Sequence, residues 1–366
     1  MSLDLFSPLV GLAEEELHPK FKLLQQEPML TRERGIVAGW ADGFVDRDNK
    51  IVHEFQTTFH SAFWEIYLHA LFKEAGFDID FSRNRPDFII NKPTPFYVEA
   101  VVSEIKNGGS GEDLRTPADQ FTMLEPFDCH DKFSEIVNEA ITRHSNSILS
   151  KHKKLSEYLK CEWVDESAPF VLAFGSYDQI NYGREYHHSL VALLYGMYFD
   201  PVENKYSKVA SIRKPGTSAE IPVGLFNGGE LDGISAIIFS CTTTLGKLTS
   251  LALSASPPEQ NYNFVLNIRH NTEEPWYLAH IVSQDVPEEL SDGLFVFHNP
   301  YAKNPIASDV FSRTNAVQVY KDGNGVKFEG GTLPIVSRFN YPKMLMPEPY
   351  RTQLIAETLQ KFNGAS

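Results

Sequence analysis

Long apolar runs are missing from this 366-residue chain. None approaches the roughly 18 to 20 residues that span a bilayer, and the opening Met1-Ser2-Leu3-Asp4 lacks the basic and apolar regions of a secretory leader. A folded cytoplasmic protein away from membranes is therefore expected. Cysteine is scarce. Cys129, Cys161 and Cys241 are odd in number and far apart, which excludes a disulfide framework and a thiolate metal site and leaves free, mostly buried thiols. Positive charge is in deficit, with 33 Lys and Arg against 48 Asp and Glu and a net charge of -15. That excludes a protein that coats nucleic acid with its whole surface, because phosphate neutralisation supplies most non-specific affinity. Any basic groove has to be local. The candidate is 143–160, where Arg143, Lys151, Lys153, Lys154 and Lys160 face the single acid Glu157.

Several catalytic signatures are also absent. No serine stands in a Gly-x-Ser-x-Gly elbow, and no two histidines form a His-Glu-x-x-His helix. The adjacent His187 and His188 would point apart on a helix. No Gly-x-Gly-x-x-Gly follows a strand, so nucleotide cofactors lack support. The glycines of Asn107-Gly108-Gly109-Ser110-Gly111 have no Gly-Lys-Ser/Thr after them, which argues for a flap beside a site rather than a phosphate-cradling loop. The barrel pattern usual for glycoside hydrolases is missing.

What is present is 42% hydrophobic and 12% aromatic content, enough for one large core or two smaller ones. Residues 1–51 are rich in charge and turn residues and read as an irregular N-terminal arm with one helix. Residues 52–175 read as helix (58–75), strand (77–80), strand (86–91), strand (96–102), loop, long helix (132–160) and strand (169–175), an αβββαβ order. Residues 176–366 add a helix from His187 to Phe199 and apolar strands at 235–240, 263–268 and 277–282. These either extend the same sheet or build a second subdomain, followed by turn-rich wrapping segments and a short helix near 350–362.

Two carboxylates stand on the short apolar strands. Pro86-Asp87-Phe88-Ile89-Ile90 is followed, twelve residues after the aspartate, by Glu99 within Tyr97-Val98-Glu99-Ala100-Val101-Val102. A charge inside such a run is expensive to bury unpaired, and a shared divalent cation would resolve the cost. Upstream, Phe59, Phe63, Ile66, Tyr67, Ala70 and Leu71 recur at helical spacing, with Glu65 beside the stripe in line with Ala62 and His69.

Helix Glu65, Pro86-Asp87 and strand Glu99, in that order, resemble the core of the restriction-endonuclease-like PD-(D/E)XK nuclease superfamily. The resemblance covers residues 52–175 and implies an α/β fold, a mixed sheet flanked by helices. It implies Mg²⁺, with Mn²⁺ able to substitute, held by Asp87 and Glu99, and Glu65 assisting. It implies nucleic acid, DNA foremost, as the partner, and allows a homodimer; by analogy it points to bacterial defence or DNA processing. The family also carries a lysine two residues after the second acid, helping to activate or orient the attacking water. Here that position is Val101. A literal Glu104-Ile105-Lys106 stands at the entry to the glycine loop. The preferred replacement is Lys151, since His144, Ile148, Lys151, Leu155 and Leu159 share one face of the long helix and Lys151 should lean toward the sheet. Lys154, one turn on, is the weaker option, and Lys153 should face solvent. Catalysis is accordingly assigned to Glu65, Asp87, Glu99 and Lys151. The alternative is a catalytically inactive member of the fold serving as a binding or scaffolding subunit, a reading motivated by Val101 and the acidic surface.

Overall fold

The computed structural model describes residues 3–105, 109–127, 132–257, 261–323, 325–330 and 332–364. Helices α1 (Pro19–Gln26), α2 (Thr31–Trp40), α3 (Ile51–Thr57) and α4 (His60–Glu74) open the chain. The expected irregular arm thus carries two helices. Its scattered apolar residues explain why: Phe21, Leu24, Val37 and Trp40 fall on inward faces and join one buried cluster with Phe55, Phe59 and Phe63. The expected 58–75 helix starts at His60, because Phe59 takes a φ of 58° that separates α3 from α4.

Next come β1 (Asp78–Asp80), β2 (Phe88–Lys92), β3 (Phe96–Ser103), α5 (Pro117–Phe121), α6 (Phe133–Tyr158) and β4 (Phe170–Ser176). The αβββαβ order of the sequence reading is present, with the short α5 inserted before the long helix. The rest of the chain supplies α7 (His188–Tyr195), β5 (Met197–Asp200), β6 (Lys205–Lys208), β7 (Ser211–Arg213), β8 (Glu220–Pro222), β9 (Ala236–Ser240), α8 (Leu245–Ala255), β10 (Asn263–His270), β11 (Tyr277–Ile281), β12 (Phe295–His298), β13 (Val317–Asp322), β14 (Gly325–Glu329), β15 (Ile335–Pro342) and α9 (Glu348–Gly364). The helix expected over 187–199 stops at Tyr195. Gly196 ends it at a φ of 71°, where an added Cβ would sit 3.1 Å from the Val209 carbonyl.

The main sheet has eight strands in the order β1-β2-β3-β4-β9-β12-β13-β14. The β1-β2-β3 pairings are antiparallel, and β3, β4 and β9 run parallel. Its two faces bury separate cores. Tyr97 and Val101 of β3 pack with α6 and α7 residues such as Ile148 and Leu190. The alternating Phe96, Val98 and Ala100 pack with Val37, Phe63 and Leu248 of α2, α4 and α8. Every residue of β4 is buried, which is why that strand reads as an unbroken apolar run. Of the three strands whose sheet was open, β9 joins the main sheet, whereas β10 pairs with β11 on one side and β15 on the other in a separate three-stranded sheet.

Arg143 does not belong to a solvent-facing basic patch. Its guanidinium is buried and donates to the Ser103 carbonyl and hydroxyl, Ser176 Oγ and Gln179 Oε1 at 3.1–3.4 Å, while Nε meets Glu139 at 2.8 Å. It ties the C-terminal ends of β3 and β4 together. Of the remaining expected groove cations, Lys153, Lys154 and Lys160 are exposed and Lys151 is half-buried.

Candidate active site

The β2–β3 ladder is short. It joins Phe88 to Val98, Ile89 to Tyr97 and Ile90 to Phe96, and β3 then runs on to Ser103 paired with β4 on its other edge. Continuing the register by one residue brings Asp87 opposite Glu99. There the ladder gives way to a side chain: the Ala100 N–H donates to Asp87 Oδ2 at 2.7 Å. The strand edge left open beyond this point is the floor of a cleft of about 560 Å³, lined by Glu65 from α4, Asp87, Ala100 and Val101 from the strands, and Lys151 from α6. Trp64 docks α4 by donating from its indole to the Ala173 carbonyl of β4 at 2.9 Å, so Glu65 faces the open edge.

Glu99 points toward α6. Lys151 Nζ lies 2.6 Å from its Oε1, with the lysine side chain 26% exposed and the glutamate 5%. Tyr158 donates its hydroxyl to the same oxygen at 2.8 Å. Lys151 and Tyr158 are seven residues apart, two helical turns, and so share one face of α6. The stripe that predicted Lys151's direction is real over His144, Ile148 and Leu155, all buried, while Leu159 at the helix end is exposed. The structure therefore brings Glu65, Asp87 and Lys151 to one cleft, with the buried Glu99 held against Lys151. Lys106 lies outside the described residues. Lys154 is exposed.

Electrostatics mark the cleft as short of positive charge. Burial, then the neighbouring Glu99 carboxylate, pushes Asp87 up to about 7, against partial relief from Lys151. Glu65 is raised well above the ordinary glutamate value by burial, then by Asp87 and Glu54. For Lys151, burial alone would lower the ammonium, but Glu99, Asp87 and Glu65 outweigh it and raise it. It is a firm cation. Three carboxylates and one ammonium in a confined space are not all ionised without a further positive charge.

Sequence reasoning missed Tyr158, Glu54 and Arg47. Tyr158 had a signal, its i+7 spacing from Lys151. Arg47 had none. Its guanidinium donates to the Arg83 carbonyl, to Pro86 O at 3.3 Å and to Asp87 O at 2.7 Å, bracing the segment that presents Asp87. The supposed arm is thus part of the site's scaffold. The expectation that His187 and His188 point apart is corrected as well. His187 caps α7 rather than lying within it, and both rings meet the Tyr206 hydroxyl, at 2.9 and 3.0 Å. Of the thiols, Cys241 is buried, Cys161 is half-buried, and Cys129 lies outside the described residues. Among the described residues, no helix is long and apolar enough to cross a membrane.

Comparison with protein-family models, with curated proteins and with solved structures found no match.

Proposed function

We propose that the chain is a metal-dependent nuclease of the PD-(D/E)XK type, with the segment from α4 to β4 as its restriction-endonuclease-like core. One observation carries the reading. A lysine ammonium reaches the Asp87–Glu99 pair from α6, 2.6 Å from Glu99, on the sheet face that Val101 shares. A strand lysine at position 101 would point to that side too, because side chains two apart on a strand project together. The exposed lysines of the 153–160 stretch offer a local attraction for phosphates on an otherwise acidic protein.

The donor set fits a hard divalent cation. Carboxylates are the oxygen ligands Mg²⁺ takes, usually one or two with waters completing the shell, and the raised Asp87 and Glu65 are what such a site shows before its counter-charge arrives. Asp87 and Glu99 would hold Mg²⁺ or Mn²⁺, with Glu65 acting through water. The cation would lower the pKa of a water and neutralise charge on the scissile phosphate. The protein's own groups do the rest. Lys151 stands beside Glu99 to orient the water and offset phosphate charge, Tyr158 keeps Glu99 in its rotamer, and the Ala100 N–H holds Asp87.

The test is cleavage of plasmid DNA and of RNA by the purified protein in Mg²⁺ or Mn²⁺. Wild type should cleave at least one. Asp87→Ala and Glu99→Gln should remove nearly all activity while circular dichroism remains that of the folded protein. Wild-type protein that binds nucleic acid without cleaving it would favour the inactive scaffolding role.

A further inference from the structure

A second cluster lies next to the cleft, built from parts of the chain that are far apart in sequence. His18 caps the start of α1, His60 opens α4, and Glu112 lies between β3 and α5 in the chain. One donor atom from each residue lies within 4.8 Å of the other two. His60 Nε2 and Glu112 Oε1 are 3.1 Å apart, close to the edge of a tetrahedron whose centre is roughly 2.0 Å from each corner. The two imidazole rings stand edge to face with centroids 5.1 Å apart.

We propose that His18, His60 and Glu112 form a site for a borderline divalent metal of the Zn²⁺ class, distinct from the carboxylate cleft. Two imidazoles and one carboxylate are a donor set that suits zinc, and a fourth position remains for water. His18 Nδ1 already accepts the Lys20 N–H at 3.2 Å. This holds the ring in place with the proton on Nε2 in the metal-free chain, and a metal at Nε2 would move that proton to Nδ1 and release the cap contact. Glu112 is likewise oriented from behind, by Lys20 Nζ at 2.8 Å from Oε2, with Lys20 itself held by the Tyr182 hydroxyl at 2.8 Å. The ammonium therefore engages the oxygen that does not face His60.

Charge balance points the same way. Glu104, Glu112, Asp113 and Asp178 interact through this region, against Lys20 and Arg115. The formal excess over these groups is two negative charges. The His60–Glu112 hydrogen bond accounts for one contact of the cluster, His60 Nδ1 is buried without a hydrogen-bond partner, and the His18 ring stacks on Phe59 with centroids 5.4 Å apart.

Such a metal would tie the α1 segment and the Glu112 turn to the start of α4, beside Ser61 and Glu104, which line the catalytic cleft. The site does not rest on the nuclease reading. The test is calorimetric titration of the chelator-stripped chain with Zn²⁺ in excess Mg²⁺, together with Co²⁺ absorption spectra. We expect one Zn²⁺ per chain, a visible tetrahedral Co²⁺ spectrum, and a loss of affinity of about a hundredfold or more in His18→Ala, His60→Ala and Glu112→Gln. Asp87→Ala should bind Zn²⁺ as wild type does. Absence of both the heat and the Co²⁺ bands in the wild type, or equal binding by His60→Ala and wild type, overturns the site. If the histidine variants fail to fold, the wild-type Co²⁺ spectrum decides by itself, since octahedral all-oxygen coordination also overturns it.

Discussion

Asp87→Asn should make the metal-free protein more stable at alkaline pH while abolishing the proposed cleavage activity. The carboxyl of Asp87 is raised from 3.8 to about 7 in the folded chain, through burial and then Glu99. In the window between these values the folded state holds a proton that the unfolded chain has released. Stability therefore falls as pH rises from about 4 to 7, and the full penalty stands above that. At pH 8 the difference corresponds to about 4 kcal/mol. An asparagine carries no charge, and its carbonyl can still accept the Ala100 N–H. Its new N–H₂ must find an acceptor among the remaining carboxylates, so we expect about half to be recovered, or about 2 kcal/mol, a rise in Tm of roughly 3 °C. The assay is scanning calorimetry in EDTA at pH 8 and pH 5. The gain should shrink at pH 5, where folded wild type is already protonated at Asp87. A variant no more stable than wild type at pH 8, or a gain independent of pH, would refute the argument that uncompensated carboxylate charge dominates this cleft.

The same shift predicts that Mg²⁺ affinity, measured by titration calorimetry, rises with pH up to about 7 and then levels, because binding must displace the Asp87 proton. Lys151→Met should lower the cleavage rate roughly 10²-fold or more. It should also cost about 1–3 kcal/mol in urea melts, since buried Glu99 is left with Tyr158 as partner; full activity would remove Lys151 from the site. Glu65→Gln should reduce cleavage less than Asp87→Ala, and an equal loss would make Glu65 a direct ligand. Arg143→Ala should destabilise by about 3 kcal/mol or more, because it leaves buried Ser103 Oγ and Gln179 Oε1 without their donor and removes the guanidinium beside the buried Glu185 carboxylate; a melt unchanged within 1 kcal/mol would contradict this.

The αβββαβ order was legible because each element announces itself locally. The helical stripe from Phe59 to Leu71, the apolar run of β4 and the long phase of α6 all obey periods of 3.6 or 2. Glu99 was legible for a related reason, since a lone acid in an apolar strand demands a partner. Lys151 was within reach because helical phase says which way a side chain leans. Phase does not say how far it reaches, and the 2.6 Å contact with Glu99, across 52 residues of sequence, depends on where α6 docks. The arm at 1–51 misled, because its apolar residues are too sparse to show a period and are recruited only by the aromatic face of α3 and α4. The bracing of Asp87 by Arg47 and the meeting of His18, His60 and Glu112 left no mark in the chain's order. Local periodicity determined the elements and the faces they present. Packing alone, by closing loops of tens of residues, decided which charges meet, because the energy of such a meeting belongs to the assembled pair and to neither segment by itself.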